Sequence, residues 1–198
     1  MLHKVLAAVT FALATTVALA ANPQVEFDTT AGTIKIELYP DAAPKTVANF
    51  LDYVRSGHYV STQFHRVIDG FMIQGGGFTT DFKEKPTKRP IAIESESSSK
   101  AGLSNVPGTV SMARTSDPNS ATSQFFINVA DNQRLNFREA TPQGYGYTVF
   151  GKVVEGMDVV TKIAKAPKGA TGPVPPGINP GDVPTTQVVI KAAKVVGG

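Results

Sequence analysis

The chain has 198 residues, long enough for one domain with a sizeable core and too short for two of ordinary size. Hydrophobic residues make up 41% and charged residues 18%, the balance of an ordinary soluble globular protein. The net charge of +3 is a small lysine excess; Lys83, Lys85, Lys88 and Arg89 cluster, but Asp81 and Glu84 interrupt them, so a solvated loop is expected and nucleic acid is not a partner.

Met1 to Ala20 reads as a cleaved signal peptide. His3 and Lys4 form a short basic n-region, Val5 to Ala20 is apolar and uncharged, and Ala18-Leu19-Ala20 supplies the small-x-small cleavage pattern. The competing reading is a membrane anchor. Sixteen residues containing Thr10, Thr15 and Thr16 fall short of the ~20 that span a bilayer, so stable membrane insertion is not expected. Loss of Lys4 leaves a mature chain, residues 21–198, with a net charge of +2 (+3 less one). The absence of cysteine means that no disulfide is needed in an oxidising compartment.

The mature chain then reads mostly as short strands. Val25 to Thr29 and Thr33 to Leu38 alternate apolar and polar residues about a turn at Thr30-Ala31-Gly32. Pro44 to Arg55 is a helix: Pro44 suits its first turn, Val47, Phe50, Leu51 and Val54 form a stripe, and Gly57 closes it. Strands are expected at Gln63 to Ile68, Phe71 to Gln74, Ile91 to Glu94, Thr109 to Met112, Gln124 to Val129 and Val149 to Val154. Met157 to Ala164 is a second helix, with Val159, Val160 and Ile163 inward, and Val188 to Val195 a last strand. Pro167 to Pro184 holds six of the fourteen prolines and four glycines; it reads as an ordered surface loop, with a polyproline docking ligand as the alternative. Pattern alone leaves an antiparallel barrel and a sandwich nearly tied.

Two stretches carry the chemistry. Phe64 to Gly77, FHRVIDGFMIQGGG, places one guanidinium, two large apolar side chains and one amide close together. Ser123 to Asn128, SQFFIN, adds a second amide and two phenylalanines. They suggest a greasy pocket with one fixed cation. The usual bond-making groups are missing: no cysteine, at most two mature histidines (His58 and His65), and no H-E-x-x-H, G-x-S-x-G or Walker glycine loop. Gly75, Gly76 and Gly77 end an apolar run and do not open a helix, which weakens a dinucleotide reading. A catalyst made of these parts suits a process needing no nucleophile. Rotation about an X-Pro amide is one, with a barrier of roughly 18–20 kcal/mol from amide resonance.

FHRVIDGFMIQGGGFT, GTVSMAR, SQFFINV and VFGKVVEGMDVV, in order from about Val25 to Val196, resemble the cyclophilin-type peptidyl-prolyl isomerases, above all the periplasmic cyclophilins of Gram-negative bacteria. The resemblance implies a mainly β fold, a closed eight-stranded antiparallel β-barrel capped by two α-helices, with the site on the outer face. It implies an isomerase acting on X-Pro bonds of unfolded or partly folded exported proteins in the periplasm, as a monomer and without cofactor or metal. Arg66, Phe71 and Gln74 take catalytic positions. Met72, Ala113, Arg114, Gln124, Phe126, Leu135 and Tyr147 take substrate-binding positions, with Gln74 and Gln124 holding the arginine and the substrate carbonyl. His65 reads as structural, and Phe125 should point into the barrel. Two departures stand out: Arg134 and Tyr147 occupy places where eukaryotic members commonly carry tryptophan and histidine. In those members the tryptophan packs against the inhibitor cyclosporin, so weak inhibition is expected here. The rival reading is an idle module that only binds proline segments; such a binder would not need the guanidinium of Arg66.

Overall fold

The computed structural model describes residues 21–170 and 172–197. The expected signal peptide lies outside the described residues, among which no helix is long and apolar enough to cross a membrane. Strands β1 (Gln24–Thr29) and β2 (Gly32–Leu38) form the first hairpin. The Thr29 hydroxyl donates to the Gly32 carbonyl at 2.6 Å and accepts from the Ala31 and Gly32 amides at 3.1 Å, closing the turn. Gly32 has φ +138°, and a Cβ there would sit 2.8 Å from Val159, so the turn requires glycine.

The remaining strands are β3 (Arg66–Ile68), β4 (Met72–Gly75), β5 (Thr109–Met112), β6 (Phe125–Asn128), β7 (Val149–Glu155) and β8 (Ile190–Gly197). They form one antiparallel sheet in the order β3-β4-β6-β5-β7-β2-β1-β8. Its two ends are sewn together just before β3 and β8. Gln63 bridges Val189, the Phe64 amide donates to the Val188 carbonyl at 2.9 Å, and the Ile190 amide donates to Thr62 at 2.8 Å. Closure into a barrel removes the open edges that a flat sheet would expose.

The barrel is filled. Phe27 stacks on Phe125 at 5.4 Å, and Phe50 and Tyr59 meet the Phe125 ring edge-on at 5.6 and 5.5 Å. Phe27, Phe50, Tyr59 and Phe125 are fully buried. These rings occupy the interior, and the groove described below lies on an outer face.

Helix α1 (Pro44–Arg55) buries Val47, Phe50, Leu51 and Val54 against one end of this core, as its stripe requires. Ala43 at its N-cap has no side-chain acceptor. Glu94 supplies one from a distance: its carboxylate accepts from the Lys45 and Thr46 amides at 3.1 and 2.8 Å and from the Thr46 hydroxyl at 2.7 Å. Helix α3 (Met157–Ala164) buries Val160, Ile163 and Ala164.

Four expectations need adjustment. The strand expected from Gln63 to Ile68 begins only at Arg66, since Gln63 makes an isolated bridge to Val189. Ile91 to Glu94 is not a strand; Ile91 makes one bridge, to Ala121. Glu94 is instead engaged in capping α1. An unexpected short helix, α2 (Ser95–Lys100), follows it. Its sequence SESSSK has no apolar period, and it is held by side-chain bonds such as Ser98 Oγ to the Val149 carbonyl at 2.6 Å. The last strand also lies two residues later than expected, because Val188 and Val189 pair with Phe64, Gln63 and Thr30 rather than joining the β1 ladder.

Candidate active site

Register decides which side chains face outward. Arg66 on β3 lies opposite Gln74 on β4, Gln74 opposite Phe126 on β6, and Phe126 opposite Ser111 on β5. Directly paired residues share a face, so these four form one row across the outside of the barrel. Ile68, Met72 and Asn128 form the next row. Their chain neighbours Val67, Ile73, Phe125 and Ile127 point inward into the core. The alternation of FHRVIDGFMIQ and SQFFIN about a tight turn at Asp69-Gly70 therefore brings residues far apart in the chain side by side.

Over these rows lies a groove of about 690 Å³, within the range of small-ligand sites. All ten expected site residues line it: Arg66, Phe71, Met72, Gln74, Ala113, Arg114, Gln124, Phe126, Leu135 and Tyr147. Its floor is apolar. Met72 and Phe126 are nearly buried, at 2% and 4% exposure, and Phe126 meets the Tyr147 ring edge-on at 5.5 Å.

Along one edge of that floor runs a chain of polar groups. Arg66 Nε donates to Asp182 Oδ2 at 3.4 Å, and Arg66 Nη1 donates to Gln74 Oε1 at 3.4 Å. Gln74 Nε2 donates in turn to Gln124 Oε1 at 2.9 Å. Arginine can only donate, so Gln74 must turn its oxygen to Arg66, which leaves its NH₂ for Gln124. Nη2 and the second Nη1 hydrogen of Arg66 are not used in these bonds.

Two arginines are more engaged than the sequence suggests. Arg114, expected to contact a peptide backbone, lines the groove while building its wall. Its Nε donates to the Gly146 carbonyl and its Nη1 to the Thr115 carbonyl, both at 2.8 Å, and the guanidinium lies 4.9 Å from the Tyr147 ring centroid. Gly146, with φ +61°, sits so close to Leu135 that a Cβ would fall 2.3 Å from the Leu135 carbonyl. Arg134, standing where eukaryotic members commonly carry tryptophan, places its guanidinium over the Phe71 ring, 4.6 Å from the centroid.

Beneath the groove lies a buried amide network with no apolar pattern to announce it. Asn132 Nδ2 donates to the Phe71 carbonyl at 2.9 Å and to Asn128 Oδ1 at 2.7 Å. Asn128 Nδ2 donates to Asn105 Oδ1 at 3.2 Å, and Asn105 Nδ2 reaches the Leu135 carbonyl at 3.2 Å. The backbones of two groove residues, Phe71 and Leu135, are thus tied to one rigid unit.

Both described histidines are held below their ordinary titration range. His65 also lines the groove but is 2% exposed and packs edge-on against Phe78 at 4.8 Å. Burial, reinforced by the nearby Arg66 charge, pushes its imidazole down from 6.5 to about 4. Burial also lowers His58, whose Nε2 lies 3.1 Å from the Gly76 carbonyl. Among the described residues no cluster of three His, Asp or Glu side chains is placed to hold a metal ion. Sequence reasoning missed the far wall: Pro176, Gly177, Ile178, Asn179 and Asp182, from the proline-rich loop, line the same groove.

A filled antiparallel barrel thus carries on its outer face an apolar groove, with the Arg66 guanidinium and the Gln74 and Gln124 amides along one edge. Residues 24–195 match the family model described as cyclophilin type peptidyl-prolyl cis-trans isomerase. The chain is 54% identical over 173 residues to the peptidyl-prolyl cis-trans isomerase cyp18 of Streptomyces antibioticus, covering 87% of this chain and 98% of that one. It is 45% identical over 201 residues to the peptidyl-prolyl cis-trans isomerase A of Dickeya dadantii, covering 99% of each. A crystal structure of a Cryptosporidium parvum cyclophilin-type isomerase, in the presence of the dipeptide Ala-Pro, superposes with a TM-score of 0.67 at 28% identity, covering 88% of this chain and 99% of that one. The protein belongs to the cyclophilin-type peptidyl-prolyl cis-trans isomerases. It acts as an isomerase on proline-containing peptides.

Proposed function

We propose that catalysis rests on Arg66 acting over the apolar floor, with no covalent intermediate. As the amide twists, the prolyl nitrogen becomes pyramidal and its lone pair localises. It can then accept a hydrogen bond that it could not accept when planar. The distal edge of Arg66 is suited to donate that bond, because Nε and one Nη1 hydrogen are engaged with Asp182 and Gln74. A donor used only in the twisted state lowers the barrier without tightening ground-state binding. Phe71, Met72, Phe126 and Leu135 hold the proline ring, and their apolar surroundings favour the less polar twisted amide. Gln74 Nε2 keeps a second hydrogen for the substrate carbonyl. The single observation that carries this reading is the two-point tether of Arg66 beside a nearly buried Phe126. NMR exchange spectroscopy on an Ala-Pro peptide separates it from a binding-only module: accelerated cis/trans exchange is expected, whereas binding shifts without exchange would establish the module.

The clients are proposed to be exported proteins still folding, met in the periplasm by a monomeric enzyme. Support comes from the leader-like pattern of Met1 to Ala20. The alignment with the Dickeya relative runs over 99% of this chain. N-terminal sequencing of the native protein should find Ala21 first in an osmotic-shock fraction; a membrane-bound species beginning at Met1 would contradict this.

A further inference from the structure

The proline-rich loop delivers a carboxylate to the catalytic arginine. Asp182 is 116 residues from Arg66 in sequence, yet its Oδ2 accepts from Arg66 Nε at 3.4 Å, with the two side chains 20% and 39% exposed. The carboxylate is itself held. Pro180–Asp182 forms a 3₁₀ turn whose cap, Asn179, accepts from the Gly181 amide at 3.0 Å through Oδ1. Asn179 Nδ2 donates to Asp182 Oδ1 at 3.5 Å, and the Asp182 amide donates to the Asn179 carbonyl at 2.9 Å. Both carboxylate oxygens therefore have partners.

The loop that carries this turn is fastened to itself and to the barrel. Gly169 donates to the Val183 carbonyl at 2.8 Å, Ala170 to Pro180 and Thr185 to Pro167 both at 2.9 Å, and the Val183 side chain is buried at 2% exposure. Six prolines in eighteen residues, Pro167 to Pro184, restrict the backbone further. Arg66, by contrast, is a long side chain on a three-residue strand. One anchor, Gln74 on Nη1, would let the guanidinium swing about that bond. A second on Nε fixes its plane and leaves the distal edge over the groove.

We propose that Asp182 is the positioning residue for Arg66, so that the proline-rich loop is part of the catalytic apparatus and not only a surface connection. The role is geometric: what matters is an acceptor oxygen at that place, holding Nε. It rests on Arg66 being the catalytic donor, as proposed above.

The test uses the whole mature protein, measuring kcat and KM for an Ala-Pro peptide together with the NMR resonance of the Arg66 Nε–H. Asp182→Ala should lower kcat by about ten- to a hundredfold, the scale for a misplaced catalytic group, leave KM nearly unchanged, and shift the Nε–H resonance. Asp182→Asn keeps an oxygen in place and should recover most of the lost rate. In an Arg66→Ala background, Asp182→Ala should add no further loss of rate. An unchanged or raised kcat in Asp182→Ala would overturn the proposal, the latter marking a restraining contact instead. So would an Asp182→Asn protein as slow as Asp182→Ala, because an acceptor in place would then not suffice. Arg66→Ala separates the two levels. If it keeps the wild-type rate, the reading of Arg66 itself fails; if it loses the rate while Asp182→Ala does not, only the role of Asp182 fails.

Discussion

Phe125 and Phe126 are adjacent in the chain and face opposite sides of the barrel wall. Phe125 is wholly buried against Phe27, Phe50 and Tyr59, whereas Phe126 packs edge-on against Tyr147 in the groove floor at 5.5 Å. Strand geometry demands this alternation, and it separates stability from function at neighbouring positions. Phe125→Ala should cost roughly 3–5 kcal/mol of stability in urea unfolding, the range for a core phenylalanine. Phe126→Ala should raise KM and lower kcat, because a smaller wall neither grips the proline ring nor excludes water. Exchange of the two phenotypes would reverse the assignment of faces.

That division was legible from the chain because period two is a strong local signal. The bounds of α1 were legible too, since Pro44 starts it and Gly57 lies just past its end. Other features depend on distant partners and leave no local trace. Glu94 caps a helix some fifty residues earlier, and Asp182 reaches Arg66 across 116 residues. Asn105, Asn128 and Asn132 meet only once the sheet is formed. SESSSK has neither apolar period nor a strong cap, so α2 could not be read at all.

Arg134 over Phe71 bears on inhibition by cyclosporin. A greasy ligand at this rim must cover or displace the guanidinium, a polar burial penalty of about 1–3 kcal/mol. The corresponding loss of affinity is roughly 5- to 150-fold. Displacement also breaks the contact with Phe71, 4.6 Å from the guanidinium to the ring centroid. Isomerase activity on small proline peptides should accompany weak cyclosporin binding, and Arg134→Trp should bind more tightly. Calorimetric titration checks both; nanomolar binding by the wild type would contradict the argument.

His65 makes stability depend on pH. Its imidazole ionises near 4 when folded, against an ordinary 6.5. The unfolded chain therefore binds more protons between these values, and stability rises with pH across that window. The contribution is fully present above about 6.5 and is lost as pH falls towards about 4, amounting to on the order of 3 kcal/mol. His58 acts in the same direction. Urea unfolding at pH 7.5 and pH 5 should show a more stable protein at the higher pH, and His65→Gln should reduce the difference. Equal wild-type stability at the two pH values would mean that His65 is not held neutral in the fold.

The guanidinium of Arg66 is proposed to stabilise the twisted amide more than the planar one. The most direct test of this role is the rate of cis/trans exchange in an Ala-Pro peptide bound to Arg66→Ala, measured beside the dissociation constant of the same peptide. The rate should fall on the order of 10²–10³-fold, the effect of losing one transition-state donor, while binding weakens far less. A folded variant whose rate stays close to that of the wild type would contradict it.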